Sequence, residues 1–115
     1  MVISFSVKEA REQLLNEGVV HTYRWTRRAF FRKVLGDKEY TWANSKRGGK
    51  RIADVWIEEL GQIPLSDLGP YASKSGFIDL ERWQNKIIVM SSPANLDEGW
   101  LYKVTLKRSN GSETE

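Results

Sequence analysis

Apolar positions along the chain change period several times, and each change predicts an element. Ile3, Phe5 and Val7 alternate with smaller or polar residues, the period of a short strand with one buried face. Ser6-Val7-Lys8-Glu9 then reads as a capping box: the serine hydroxyl accepts the Glu9 N–H while the Glu9 carboxylate reaches back to the Ser6 N–H. Val7, Ala10 and Leu14, with Leu15 beside them, form an apolar stripe at helical spacing. Gly18 supplies the left-handed residue just past that helix.

His21 to Thr26 returns to alternation, with His21, Tyr23 and Trp25 on one face and Thr22, Arg24 and Thr26 on the other. Arg27 to Leu35 fits either a basic helical turn or a loop ending at Gly36. Tyr40 to Ala43 predicts a second short strand, followed by a basic, glycine-containing turn from Asn44 to Lys50. Ile52 to Ile57 is apolar on both faces and predicts a central strand leading to Leu60 and Ile63. Pro64 ends it, and Ser66 or Asp67 can cap a short helix over Leu68 to Ser73. Asp79 caps a better helix, in which Leu80, Trp83, Ile87 and Met90 recur at helical spacing. That stripe reads as core, with Trp83 a packing anchor. After a polar loop from Ser91 to Gly99, Trp100, Tyr102, Val104 and Leu106 alternate with Leu101, Lys103, Thr105 and Lys107, the clearest strand in the chain. Residues 1–108 form one domain, and residues 109–115 read as a disordered polar tail. Strands outnumber helices without alternating with them, so the expected class is α+β: a small barrel-like or strongly curved mixed sheet flanked by about three helices.

Composition narrows the function classes. The chain has 115 residues, 40% of them hydrophobic, 29% charged and five tryptophan, which is globular composition in one core. It has no cysteine, which excludes disulfides and thiolate zinc sites, and His21 alone cannot build a structural metal site, so no metal or cofactor is expected. No apolar stretch approaches the roughly 18 residues of a membrane span and no signal peptide opens the chain, so the expectation is a soluble, cytoplasmic monomer without a membrane partner.

Net charge is only +3, but it is unevenly spread. Between Thr22 and Arg51 ten basic residues face Asp37 and Glu39, a local +8, while the rest of the chain carries −5. Tyr23, Trp25, Phe30, Phe31, Tyr40 and Trp42 interleave with those cations. Cations for phosphate and rings for bases are what single-stranded nucleic acid binding requires. Arg24, Arg27, Arg28, Lys46, Arg47, Lys50 and Arg51 are the candidate phosphate contacts; Tyr23, Trp25 and Trp42 are the candidate stacking rings. The alternative is that the rings are core and the cations a solvated surface. The Lys46 to Arg51 turn lacks Walker spacing, and no nucleophile-elbow pattern surrounds a serine. Glu58 and Glu59 are adjacent on a predicted strand and point to opposite faces, so they cannot pair without a bulge.

With these residues in view, the order of elements from Ile3 to Leu106 resembles the ASCH domain family of PUA-like folds. The segments that carry the resemblance are the opening strand and helix to Gly18, His21-Thr22-Tyr23-Arg24, Ile52 to Ile57, Leu65-Ser66-Asp67-Leu68, and Ser75-Gly76-Phe77 before the Trp83 helix. The resemblance implies a small PUA-like β-barrel, a cleft beside the first helix with Thr22 and Arg24 in it, and an RNA or nucleotide-like ligand. Some ASCH members resemble amidohydrolases acting on acylated cytidines. The lysine and glutamate those enzymes would require fall at Val19 and Ser75 here, so the resemblance supports the cleft over the reaction. The leading expectation is a nonenzymatic RNA-binding module, with Thr22 hydrogen-bonding in the cleft and a nucleotide-like small molecule as a further ligand. The alternatives are an amidohydrolase-like enzyme acting on a modified nucleoside and an interaction module for an acidic protein.

Overall fold

The computed structural model describes residues 3–5, 7–25, 27–34, 36–46, 48–91 and 98–107. Its strands are β1 (Ile3–Ser4), β2 (Val19–Arg24), β3 (Glu39–Asn44), β4 (Arg51–Pro64) and β5 (Glu98–Leu106). Its α-helices are α1 (Lys8–Glu17), α2 (Ala29–Lys33) and α3 (Leu80–Ser91), with 3-10 turns at Leu65–Asp67 and Gly69–Lys74. The sheet order is β1-β3-β4-β5-β2; β1 runs parallel to β3 and every other neighbouring pair is antiparallel. The sheet curls into a half-barrel, so the α+β class with a curved mixed sheet holds.

Although β1 and β2 follow one another in the chain, they lie at opposite edges of the sheet, and α1 connects them. Arg11 on α1 donates from Nη1 to the Phe5 and Ser45 carbonyls, both at 3.1 Å, and Gln13 donates to the Val19 carbonyl at 3.1 Å. The helix is thereby tied to both edges. Leu14 is its fully buried anchor, and Gly18, at φ 83°, donates its N–H to the Leu14 carbonyl and ends it as the glycine predicts. Its N-cap is Val7, without a side-chain cap hydrogen bond; the expected capping box rests on Ser6, which lies outside the described residues.

Two apolar clusters lie on the two faces of the sheet. Leu14, Val20, Phe31, Val55, Ile57, Tyr102 and Val104 fill the inside of the curl, while Tyr23, Leu68, Trp83 and Leu101 form a second core beneath α3 and the 3-10 turns. Leu101 and Tyr102 show why: neighbours on a strand point to opposite faces, and each is fully buried in its own cluster. Trp83 is a packing anchor, as the stripe on its helix predicts. Asp79 caps that helix by accepting the Arg82 N–H at 2.9 Å.

Two elements settle what the sequence pattern left open, and one differs from it. The ambiguous segment after Thr26 forms the short helix α2, whose Phe31 packs beside the Tyr102 ring at 5.7 Å. β4 runs on past Ile57 to Pro64, the residue expected to end it, and its second half pairs with β5 through a register shift between Glu59 and Gly61. The expected helix over Leu68 to Ser73 is 3-10, entered through Gly69-Pro70. The expected polar loop from Ser91 to Gly99 falls largely, and the expected tail wholly, outside the described residues. Gly76, at φ 93°, lies so close to α1 that a Cβ there would fall on the Glu9 carbonyl. That contact sets the approach of the segment carrying Phe77.

Candidate functional site

The half-barrel is open between its two edge strands, and the opening holds a cleft of about 120 Å³. Phe5 and Val7 line one side, Thr22, Tyr23 and Arg24 of β2 the other, and Phe77, Trp83 and Lys86 close the end beneath α3. An engineered apolar cavity of about 150 Å³ admits benzene, so this volume is on the scale of one six-membered ring. Among the described residues no carboxylate lines it.

Arg24 is the central group. Its Nη2 donates to the Ser4 carbonyl at 3.0 Å, its Nε donates to Thr22 Oγ1 at 3.1 Å, and its guanidinium lies 5.6 Å from the centre of the Phe5 ring. Among the described residues no carboxylate pairs with it. Burial, with the like charge of Arg28 added, pulls its pKa down to about 10, so it remains a cation at neutral pH. A buried charge without a counter-ion costs free energy that folding alone does not recover. An anion entering the cleft would supply the missing partner.

His21 stands at the same edge. Its ring packs edge-on against Tyr71 at 5.3 Å, and Nδ1 donates to the Tyr71 carbonyl at 3.2 Å. Burial lowers its pKa, the Tyr71 hydrogen bond opposes that shift, and Lys103 and Lys74 lower it further, so the ring is neutral at pH 7. A carbonyl can only accept, which fixes the proton on Nδ1 and leaves Nε2 an acceptor.

Of the remaining candidates among the described residues, Tyr23 alone reaches this cleft. Arg27 forms a bidentate pair with Glu59 at 2.9 and 2.8 Å and stacks over Trp100 at 4.7 Å. Arg28 forms another with Glu39 at 2.7 and 2.9 Å, and both side chains are nearly buried. Neither presents free charge to phosphate, because each is neutralised by a glutamate that only the fold brings near. Tyr23 lines the cleft, but its hydroxyl donates to the Ile63 carbonyl at 2.6 Å and accepts the Gly99 N–H, which commits the ring to the core. Trp25 packs edge-on against Tyr23 at 5.3 Å, with its Nε1 buried and unpartnered among the described residues. Trp42 points outward from β3 with Arg51 over its ring at 5.3 Å, and Arg51 is also paired with Asp54. Lys46 and Lys50 sit on the exposed β3–β4 turn; Arg47 lies outside the described residues.

The chain matches no family model, no curated protein and no solved structure. The reading of the cleft therefore rests on its own residues.

Those residues include several that the sequence pattern did not single out. Phe5, Phe77 and Lys86 join the cleft only through the closing of the sheet and the docking of α3, although Lys86 does sit one helical turn from Trp83. The two positions that the ASCH resemblance singles out for catalysis hold other roles. Val19 opens β2, and Ser75 is fully buried in a turn, donating to the Ala72 carbonyl at 2.7 Å and accepting the Phe77 N–H at 3.2 Å. Glu58 and Glu59 follow a strand's alternation despite the nearby bulge: Glu59 turns inward to Arg27, while Glu58 lies with Lys38, Trp56 and Lys103 on the outer face. Among the described residues no group of histidine and carboxylate side chains could hold a metal ion, and no helix is long and apolar enough to cross a membrane.

Proposed function

We propose that the protein is a nonenzymatic RNA-binding module that receives one unpaired nucleotide in the seam between its edge strands. The observation that carries this reading is Arg24, a largely buried cation without a carboxylate partner among the described residues, at the wall of a ring-sized, partly aromatic cleft. Phosphate answers the charge, Thr22 offers a hydroxyl, and Phe5, Phe77 and Trp83 offer apolar surface to a base. Lys86, exposed on α3 at the rim, adds a second cation for the entering strand. The ASCH-like order of residues, with Thr22 and Arg24 at the matching positions, supports the same cleft. Binding is favoured over hydrolysis because Ser75 is spent on a turn and Val19 has no ionisable group.

Titrating labelled single-stranded RNA, hairpin RNA and DNA at low and moderate salt tests the proposal. Single-stranded RNA should bind at low salt and lose affinity in Arg24→Met and Lys86→Glu. No binding at low salt, or binding indifferent to both substitutions, would overturn it. Release of acid from an acylated cytidine, abolished by Arg24→Met, would replace binding with catalysis.

A further inference from the structure

On the outer face of the sheet, away from the cleft, three large rings are left exposed together. Tyr40 and Trp42 lie two residues apart on β3, and Trp56 is the cross-strand partner of Tyr40 on β4. They are 48%, 39% and 38% exposed, and the Tyr40 and Trp56 centroids are 5.1 Å apart. Two residues along a strand span about 6.6 Å, so the rings form a stepped row rather than one stack. Solvent-facing aromatics on neighbouring strands gain nothing for the core, and their position asks for a partner.

The surrounding charge says which partner. Lys107 Nζ lies 4.7 Å from the centre of the Tyr40 ring, and the Arg51 guanidinium lies over Trp42. Lys38 and Lys103 flank Trp56 in a shallow outer pocket with Glu58 and Thr105. Four cations stand against Asp54 and Glu58, so the face is net positive. A second copy of the chain would set like charges against each other. A plain apolar segment would leave the lysines unanswered. A single nucleic acid strand supplies both complements: bases for ring faces and phosphates for the cations beside them.

The row also leads toward the cleft. Glu58 on β4 pairs with Lys103 on β5, which pairs with His21 on β2, and His21 lines the cleft. Strand neighbours are about 4.8 Å apart, so those steps form a short path over the sheet.

We infer that the outer face of β3 and β4, through Tyr40, Trp42 and Trp56 with Lys38, Lys103 and Lys107, is a second binding surface that stacks the bases of a single RNA strand. The choice of RNA rests on the proposed function; the surface itself is separate from the cleft.

The test compares a labelled oligouridylate of about ten nucleotides with uridine monophosphate, binding each to the full chain. In the double variant Tyr40→Ala/Trp56→Ala, decamer affinity should fall roughly five- to a hundredfold per ring that stacks, while mononucleotide binding stays within about twofold. Trp56→Phe should restore most of the loss. Lys38→Glu/Lys103→Glu, which removes no packed ring, should weaken the decamer by at least about tenfold and flatten its salt dependence. A decamer that ignores all these substitutions but responds to Lys86→Glu would overturn the second surface and leave the proposed function standing. Loss of the decamer with the rings, but not with Arg24→Met or Lys86→Glu, would support the surface and overturn the cleft. A wild-type chain that binds no decamer at low salt, or binds polyglutamate as tightly, overturns the inference.

Discussion

Arg24 Nη2 donates to the Ser4 carbonyl at 3.0 Å, and that bond joins the two edge strands of the curled sheet. The same guanidinium faces the cleft that those edges leave open. A clasp and an anion site make opposite predictions when the charge is removed. As a pure clasp, Arg24→Met would destabilise the fold by the value of its charged hydrogen bonds, about 1.5–3 kcal/mol each. As an unneutralised buried charge, it carries a desolvation cost that methionine relieves. Chemical denaturation should therefore show Arg24→Met within about 1 kcal/mol of wild type, with RNA binding lost. A drop of several kcal/mol would make the residue structural.

Arg28 behaves differently because it has an acid to neutralise. Glu39 is 5% exposed, and Arg28→Ala would take the bidentate cation away from its buried carboxylate. The expected loss is about 3–5 kcal/mol in a denaturant titration at pH 7. Arg28→Met/Glu39→Leu, which removes both charges, should recover most of it. Arg27→Ala should cost less, since the Arg27–Glu59 pair is more exposed.

His21 links stability to acid. Burial lowers its folded pKa below the ordinary 6.5, so the unfolded chain takes up the proton first. Stability should be unaffected by His21 above that pH and fall as pH drops from about 6.5 toward the lower folded value. Thermal melts of wild type and His21→Gln from pH 7.5 to 5 check the sign. The wild-type curve should fall more steeply, and parallel curves would contradict the burial of the ring.

Tyr102 tests the polar interior of the half-barrel. Its hydroxyl accepts the Arg28 N–H at 2.8 Å and donates to Glu59 at 3.3 Å, and burial raises its pKa to about 12. An absorbance titration should show a tyrosine ionisation near that pH, and Tyr102→Phe should remove it. The same variant leaves the Arg28 N–H without its acceptor, at a cost of about 1–3 kcal/mol.

How much of this was legible from the residues depends on how far each signal reaches along the chain. Gly18 and Asp79 act on backbone groups within four residues, and both behave as their local pattern predicts. The alternation from Trp100 to Leu106 likewise marks β5 directly. The ion pairs are illegible for the opposite reason. Arg27 and Glu59 are 32 residues apart, and Glu59 belongs to the acidic remainder of the charge count. Charge segregated along the chain is thus partly recombined in space, and the +8 segment overstates the free charge it presents. Thr22 and Arg24 were found at the cleft, whereas Phe77 and Lys86 arrive there through tertiary docking. Tyr40 and Trp56 carry no motif at all until β3 and β4 pair them.

The most direct test of the central claim is the affinity of a labelled single-stranded RNA for the wild-type chain and for Arg24→Met and Lys86→Glu, measured at two salt concentrations. The account predicts binding at low salt, with log affinity falling against log salt by roughly 0.7 for each phosphate neutralised. It predicts at least tenfold weaker binding by either folded variant, about 1.4 kcal/mol. Equal affinity across all three proteins, or no binding by the wild type at low salt, would contradict it.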